Sequence, residues 1–211
     1  MGFHCSFSSN AAEVVGTELG SELLDSFDGV LKDTIEAMRV GVISISDSRS
    51  FDTGKEDVSG TLLLDLLNNS SKLGSVQISR YEIIPDEYDQ IVNLLKAYIS
   101  DSDVILTTGG TGFAPRDITP EATKSIIEKE CPGIVTALML KSLQATPFAA
   151  LSRLAAGIVG KSLIVNLPGS PKAVRECFEV LEPILSHAVS LIKDEKETVQ
   201  VTHSKLLGEK K

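Results

Sequence analysis

From Met38 onward the chain alternates short β-branched runs with stretches whose apolar residues recur every three or four positions. Residues 40–45, 76–84 and 104–107 predict three strands. Between them, residues 59–67 place Leu62, Leu63, Leu66 and Leu67 on one side of a helix, and residues 86–98 do the same with Ile91, Leu94, Leu95 and Tyr98. A helix is expected over 120–130, with Thr119 as its N-cap and Pro120 at its first position, and another over 134–143. Residues 154–158 and 162–167 flank Val159-Gly160-Lys161, the pattern of a hairpin. A last helix is expected over 171–192, with a kink at Pro183. Strands alternating with helices specify a mostly parallel sheet covered on both faces. The predicted class is therefore α/β, a three-layer α/β/α arrangement with an antiparallel edge hairpin.

The two ends of the chain lack this pattern. Residues 1–37 are acidic, with Lys32 their one Lys or Arg before the strand pattern begins, and read as a flexible extension. Leu19, Leu23, Phe27 and Leu31 do fall at helical spacing, so a short amphipathic helix is the alternative there. Residues 38–192 form the predicted domain, and 193–211 a charged tail. Met1-Gly2 with Ser6 matches the bare N-myristoylation pattern, but bulky Phe3 weighs against modification. The N-terminus does not read as a secretory signal, and no apolar run reaches transmembrane length. The cysteines at positions 5, 131 and 177 show no metal-ligand spacing and fit a reducing compartment, so a cytoplasmic location is expected. A formal net charge of −9 argues against a general nucleic-acid binder. Any anionic ligand must then be held by local features.

In doubly wound folds ligands bind at the carboxyl ends of the strands. That rule gathers Ser46-Asp47-Ser48, Pro85-Asp86-Glu87, the Gly109-Gly110-Thr111-Gly112 loop and the segment from Asn166 to Lys172 onto one rim. The glycine loop lies between a strand and a helix start, so free N–H groups and the positive helix end face one spot. It is neither a P-loop, since no Gly-Lys-Ser/Thr follows, nor a dinucleotide fingerprint, since Pro115 stands where the third glycine belongs. Pro168-Gly169-Ser170-Pro171 is a second cradle of the same kind, with Ser170 placed to cap the last helix. Arg116, Arg153 and Lys172 are the candidate cations for phosphate, with Ser152 beside Arg153.

Asp86 precedes a helical pattern, so a capping role competes with a metal role. Asp117 could likewise stabilise its own loop as an Asx-turn. Two carboxylates converging on a phosphate cradle suit magnesium, which takes one or two carboxylates and shares substrate phosphates. His4, His187 and His203 are too scattered for a Ser-His-Asp triad.

The stretches VGVISISDS (residues 40–48), IIPDE (83–87), TTGGTGFAPRDITPEAT (107–123), TPFAALSR (146–153) and NLPGSPKAV (166–174) stand in order along most of the chain. Together they resemble the molybdenum-cofactor adenylyltransferase family, which includes the bacterial molybdopterin adenylyltransferase and the G domains of the plant enzyme and of gephyrin. The resemblance implies a homotrimer of molybdopterin-binding-like α/β/α subunits that transfers AMP from Mg-ATP to molybdopterin and releases pyrophosphate. It matches Asp86 and Asp117 to catalytic, metal-associated carboxylates. It matches Ser46, Asp47, Gly109, Gly110, Thr111, Gly112, Pro168 and Gly169 to the nucleotide pocket. Ser142, Ser152 and Asn166 are matched to molybdopterin binding, and Arg153, able with Ser152 to bind a phosphate, is assigned there with them.

The chain departs from the family at Val58, where relatives often carry a basic residue after the aspartate. None of these 211 residues is expected to supply the molybdate-inserting step that plant and animal relatives carry in a fused domain, so the resemblance implies a separate partner for it. A gephyrin-like scaffold, or a molybdopterin-binding module without turnover, is the alternative; a generic nucleotide hydrolase is a further one. Retention of Asp86 and Asp117 favours the enzyme.

Overall fold

Period-two alternation divides the strand residues between two faces of one sheet. The computed structural model describes residues 37–52 and 54–194, so the expectations for the N-terminal extension and the C-terminal tail lie outside the described residues. Its strands are β1 (Met38–Ile45), β2 (Val76–Ile84), β3 (Val104–Thr108), β4 (Lys129–Glu130), β5 (Ala156–Val159) and β6 (Ser162–Leu167). They form a six-stranded sheet in the order β2-β1-β3-β6-β5-β4. Neighbours among β2, β1, β3 and β6 run parallel, whereas β5 is antiparallel to β6 and β4 to β5. The helices are α1 (Asp47–Ser50), α2 (Val58–Asn68), α3 (Tyr88–Tyr98), α4 (Thr119–Lys124), α5 (Pro132–Ala145) and α6 (Pro171–Lys193), with a 3-10 turn at Pro147–Leu151.

Val40, Val42, Val104, Leu106, Leu163 and Val165 point to one face, where they meet Leu63 and Leu67 of α2, Leu138 of α5 and Val174, Phe178, Leu181 and Leu185 of α6. Ile43, Ile45, Ile105 and Ile164 point to the other and meet Ile91, Leu95 and Tyr98 of α3 and Ala122 of α4. Each such fully buried aliphatic side chain contributes roughly 1.5–3 kcal/mol relative to exposure. The three layers and the antiparallel edge are as the pattern predicts. Strand β1 pairs with β2 on one side and β3 on the other, so the chain reverses its direction across the sheet between β1 and β3. That topological switch point opens a crevice at the strands' carboxyl ends, where ligands bind in such folds.

Two local expectations are corrected. The helix expected over 120–130 ends at Lys124, and Lys129–Glu130 forms an edge strand instead. Tertiary pairing overrides propensity there: Glu128 N–H bonds to the Ile158 carbonyl at 3.0 Å, and Cys131 N–H to that of Ala156 at 2.8 Å. Thr119 is the first helical residue and not the N-cap, which is Ile118. The Thr119 hydroxyl donates to the Gly109 carbonyl at 3.0 Å instead. Ser170 does cap α6, accepting from Ala173 N–H at 3.2 Å, and Pro183 lies inside that helix.

At the opposite, amino-terminal end of the parallel strands, buried Asp103 immediately precedes β3. It accepts the Arg39 backbone N–H at 2.9 Å and its guanidinium at 2.8 Å, while Lys193 Nζ from the end of α6 stands 3.2 Å away. This cluster fastens the end of the longest described helix to the central strands, at the end remote from the crevice.

Candidate active site

The backbone of the glycine loop is arranged with its carbonyls tied down and its amides unbonded. The Gly109 carbonyl accepts the Thr119 hydroxyl, and the Gly110 carbonyl accepts Thr119 N–H at 3.0 Å. The Thr111 carbonyl accepts Arg153 N–H at 2.8 Å, and the Gly112 carbonyl accepts Arg153 Nε at 2.7 Å. Among the described residues, the N–H groups of Gly110, Thr111, Gly112 and Phe113 make no hydrogen bond. Such a run of free amides is an anion-binding nest. Gly109 and Gly110 have φ of 102° and 62°, a region that favours glycine. A Cβ on Gly109 would collide with the Ile45 carbonyl oxygen, and one on Gly110 would stand 2.6 Å from Asp86 Oδ1. The glycines therefore let the loop lie directly against the end of β1 and the Asp86 carboxylate.

Asp86 is buried at the mouth of α3, but it is not that helix's cap. The cap position is Glu87, and the Asp86 carboxylate accepts Asp47 N–H at 3.0 Å through Oδ2. Asp47 returns the contact, its Oδ1 accepting Asp86 N–H at 3.0 Å. Asp86 Oδ1 is enclosed and makes no hydrogen bond. Burial raises the Asp86 carboxyl above the usual carboxylate range, and the charges of Asp47 and Asp117 add to this; the Asp47 N–H and Arg116 pull the other way. Asp47 is held below that range chiefly by its hydrogen bonds with Arg116.

Arg116 does not project free into the cradle. It grips Asp47 through Nε and Nη2, both at 2.9 Å, and Glu87 through Nη2 at 2.9 Å. Glu87, expected on the rim but given no role by the sequence, thus serves as the second partner of Arg116. Asp117 Oδ2 accepts Ala114 N–H at 2.8 Å, so its carboxylate does brace its own loop. That leaves Oδ1 without a hydrogen bond among the described residues.

The second cradle adjoins the first. Thr108 Oγ1 donates to the Pro168 carbonyl at 2.8 Å, and Ser59 Oγ donates to that of Gly169 at 2.7 Å. A Cβ on Gly169 would meet Gly109 Cα at 3.3 Å. Ser46, Asp47, Gly109 to Gly112, Pro168 and Gly169 thus lie together with Asp86 and Asp117 at the carboxyl ends of β1, β2, β3 and β6. Val58 is half-exposed at the start of α2, behind its N-cap Asp57, which Arg49 Nε approaches to 3.8 Å.

The residues expected against molybdopterin are placed less uniformly. Ser152 is partly exposed at the end of the 3-10 turn. Ser142 is buried between α5 and α6, its hydroxyl 3.6 Å from Cys177 Sγ. Asn166 is fully buried beneath the glycine loop, donating to Thr107 Oγ1 at 3.0 Å and Thr123 Oγ1 at 2.9 Å. Arg153 directs its guanidinium to the Gly112 and Asp117 carbonyls and to Glu121. Arg153 therefore braces the cradle from behind, while Asn166 ties β3 to α4 through its amide nitrogen and keeps Oδ1 buried without a hydrogen bond.

Among the described residues no group of three or more His, Cys, Asp and Glu side chains is arranged to hold a metal. A hard cation that arrives with phosphate needs fewer protein ligands. The enclosed, unbonded Asp86 Oδ1 beside the amide nest fits such a cation.

The model of a family described as a probable molybdopterin binding domain matches residues 41–187. Over 160 residues the chain is 43% identical to the molybdopterin adenylyltransferase of Helicobacter pylori strain J99, covering 75% of this chain and 89% of that protein. It is 44% identical over 180 residues to the molybdenum cofactor synthesis protein cinnamon of Drosophila melanogaster. That match covers 82% of this chain but spans only 29% of the longer relative. Among solved structures, the molybdopterin biosynthesis enzyme MoaB of Thermus thermophilus superposes with a TM-score of 0.66 at 41% identity, covering 74% of this chain and 96% of that one. The resemblance carried by the rim motifs is borne out, and the chain belongs to the molybdopterin-binding domain family of molybdenum cofactor biosynthesis.

Proposed function

We propose that the chain is a molybdopterin adenylyltransferase, transferring AMP from Mg-ATP to the terminal phosphate of molybdopterin. The observation that carries this reading is the meeting of an amide nest with a buried, unbonded carboxylate oxygen at the switch point of the sheet. Relatives named for this reaction, sharing over two-fifths of their aligned residues with the chain, support it.

A phosphate oxygen of molybdopterin attacks the α-phosphorus of ATP, the bond to the β-phosphate breaks, and pyrophosphate leaves. No covalent enzyme intermediate is needed, so positioning and charge stabilisation carry the catalysis. The amides of Gly110, Thr111, Gly112 and Phe113 bind and orient the phosphates of the nucleotide. Asp86 and Asp117 are the residues that would hold magnesium, which when bound screens the repulsion between the two anions. Asp47 fixes Asp86 through the reciprocal backbone contacts, and Arg116 offsets the negative charge of Asp47 and Glu87 beside the pocket. Ser152, on the partly exposed turn, is the side chain best placed of its group to meet the pterin.

Incubation with molybdopterin and Mg-ATP tests the reading. Pyrophosphate release that requires the pterin supports it; ATP breakdown without pterin would assign a hydrolase, and tight pterin binding without turnover a scaffold module. The same reading takes the working unit as a homotrimer. Self-association accords with the exposure of Leu140 at 59% and Phe148 at 76%, on α5 and the turn that follows it. A trimer mass in light scattering is expected, and a monomer mass would count against it.

A further inference from the structure

Each peptide plane carries its C=O and the next residue's N–H in opposite directions. Whatever fixes the carbonyl of one residue therefore aims the amide of the next. In the glycine loop the carbonyls are held by two agents. Thr119 holds those of Gly109 and Gly110, through its hydroxyl and its N–H, and so aims the amides of Gly110 and Thr111. Arg153 holds those of Thr111 and Gly112, through its N–H and Nε, and so aims the amides of Gly112 and Phe113.

We propose that Arg153 is a positioning residue that orients the second half of the amide nest for a pyrophosphate-class anion, and that it does not itself grip the ligand. The proposal rests on the nucleotide-site reading above and assigns a role within that site. The guanidinium is engaged on all three nitrogens. Nε meets the Gly112 carbonyl, Nη2 the Asp117 carbonyl and Nη1 the Glu121 carboxylate. One planar fork thus ties the nest, the backbone of the loop carboxylate Asp117 and the helix α4 behind them. Besides the turn bonds between Ala114 and Asp117, this one rigid group ties the end of the nest directly to Asp117. Lysine cannot replace it, because an ammonium is a point donor on a flexible stem and cannot span three diverging acceptors. A phosphate-gripping cation would behave differently: its charge would matter more than its shape.

Amide-resolved NMR of the full chain separates the two roles. In the ligand-free protein, Arg153→Lys is expected to increase fast backbone motion at Phe113, read as a fall in the {1H}-15N NOE, with Gly110 and Thr111 unchanged and Gly112, aimed through the backbone N–H that lysine keeps, changed less. On titration with inorganic pyrophosphate and magnesium, the wild-type amides of Gly110, Thr111, Gly112 and Phe113 should shift downfield. In Arg153→Lys the Phe113 response should be lost and that of Gly112 retained, with pyrophosphate affinity weakened by roughly tenfold and turnover by roughly 100-fold. Thr119→Val is the complementary variant, and it should loosen Gly110 while leaving Gly112 and Phe113 ordered. Should Arg153→Lys fold poorly, Glu121→Ala, which keeps the arginine and removes only one of its partners, is expected to give a milder version of its pattern at Phe113.

An Arg153→Lys protein with normal motion at Phe113 would overturn the proposal, as would one that binds pyrophosphate normally while Arg153→Met does not. Loosening spread evenly over all four loop amides and the β3 core would also overturn it, since that is a general loss of stability. The ligand-free measurement stands apart from the identity of the reaction. If the wild type orders as described but adenylylates no pterin, the functional reading fails and the role of Arg153 survives.

Discussion

Asp47 and Asp86 hold each other at the carboxyl edge of the sheet, each carboxylate accepting the other's backbone N–H at 3.0 Å. The arrangement fixes the loop after β1 to the loop after β2 without using Asp86 Oδ1, which remains buried and unbonded beside Gly110. A carboxylate kept in that state lowers the stability of the empty protein. It is retained at functional sites where a cation or a proton completes it.

Asp86→Asn should therefore abolish turnover and at the same time stabilise the ligand-free protein. Asparagine keeps an oxygen for Asp47 N–H but removes the charge that burial opposes. Because the folded-state pKa of Asp86 is raised, its favourable contribution is complete below the ordinary aspartate value and is lost as pH rises through the raised value. The variant's advantage should appear at neutral pH, as a Tm higher by about 2–4 °C per kcal/mol relieved, and fade as the solution is acidified. Calorimetry from neutral pH down to the ordinary carboxylate value, about 4, checks this. An unchanged Tm at every pH would contradict the buried-charge account.

Gly110→Ala is expected to reduce turnover by roughly 100-fold or more while the protein stays folded. The added methyl has to enter at a φ of 62°, against Thr119 Oγ1 and within 2.6 Å of Asp86 Oδ1. Strain of about 1–3 kcal/mol at such a position moves the loop away from Asp86. Near-normal kcat/KM in this variant would show that the loop does not need its close approach to the carboxylate.

Most of the fold was legible because its signals are local. The β-branched runs gave every strand that has a core face, and leucine spacing gave the helices over them. The exception, residues 125–130, belongs to the sheet through bonds from Glu128 and Cys131 to β5, and a pairing across that sequence distance leaves no mark on local periodicity. The rim motifs located the crevice, since turn residues and helix starts are also local. What the motifs did not reveal is which polar groups face the ligand and which face the loop. Arg153 stands within the right segment yet bonds to backbone carbonyls, and the Asn166 amide nitrogen bonds to Thr107 and Thr123; such directions come from packing, which local motifs do not carry. Thr119 likewise has a capping residue's identity and donates to a carbonyl of another turn.

At the amino-terminal end of the strands, Asp103→Asn should cost roughly 1.5–3 kcal/mol, the usual range for hydrogen bonds to a charged group. Burial alone would raise the Asp103 carboxyl, but the hydrogen bonds from Arg39 and Lys193 outweigh it and hold the pKa below the ordinary value. A lowered folded-state pKa gives stability that is present above the ordinary aspartate value and is lost as pH falls through the lowered one. The difference between wild type and variant in urea unfolding should therefore be full at neutral pH and shrink only in strong acid. A pH-independent difference would contradict the charged cluster. Turnover should be retained, because the cluster lies away from the crevice.

The central claim, AMP transfer at the Asp86 crevice, is tested most directly with ATP labelled at the α-phosphorus. In the presence of molybdopterin and magnesium, the account predicts label on the pterin and an equal amount of unlabelled pyrophosphate. It predicts neither in Asp86→Asn nor in Asp117→Asn, with the fold of each verified. Label recovered as free AMP without pterin, or carried to pterin equally well by both variants, would contradict it.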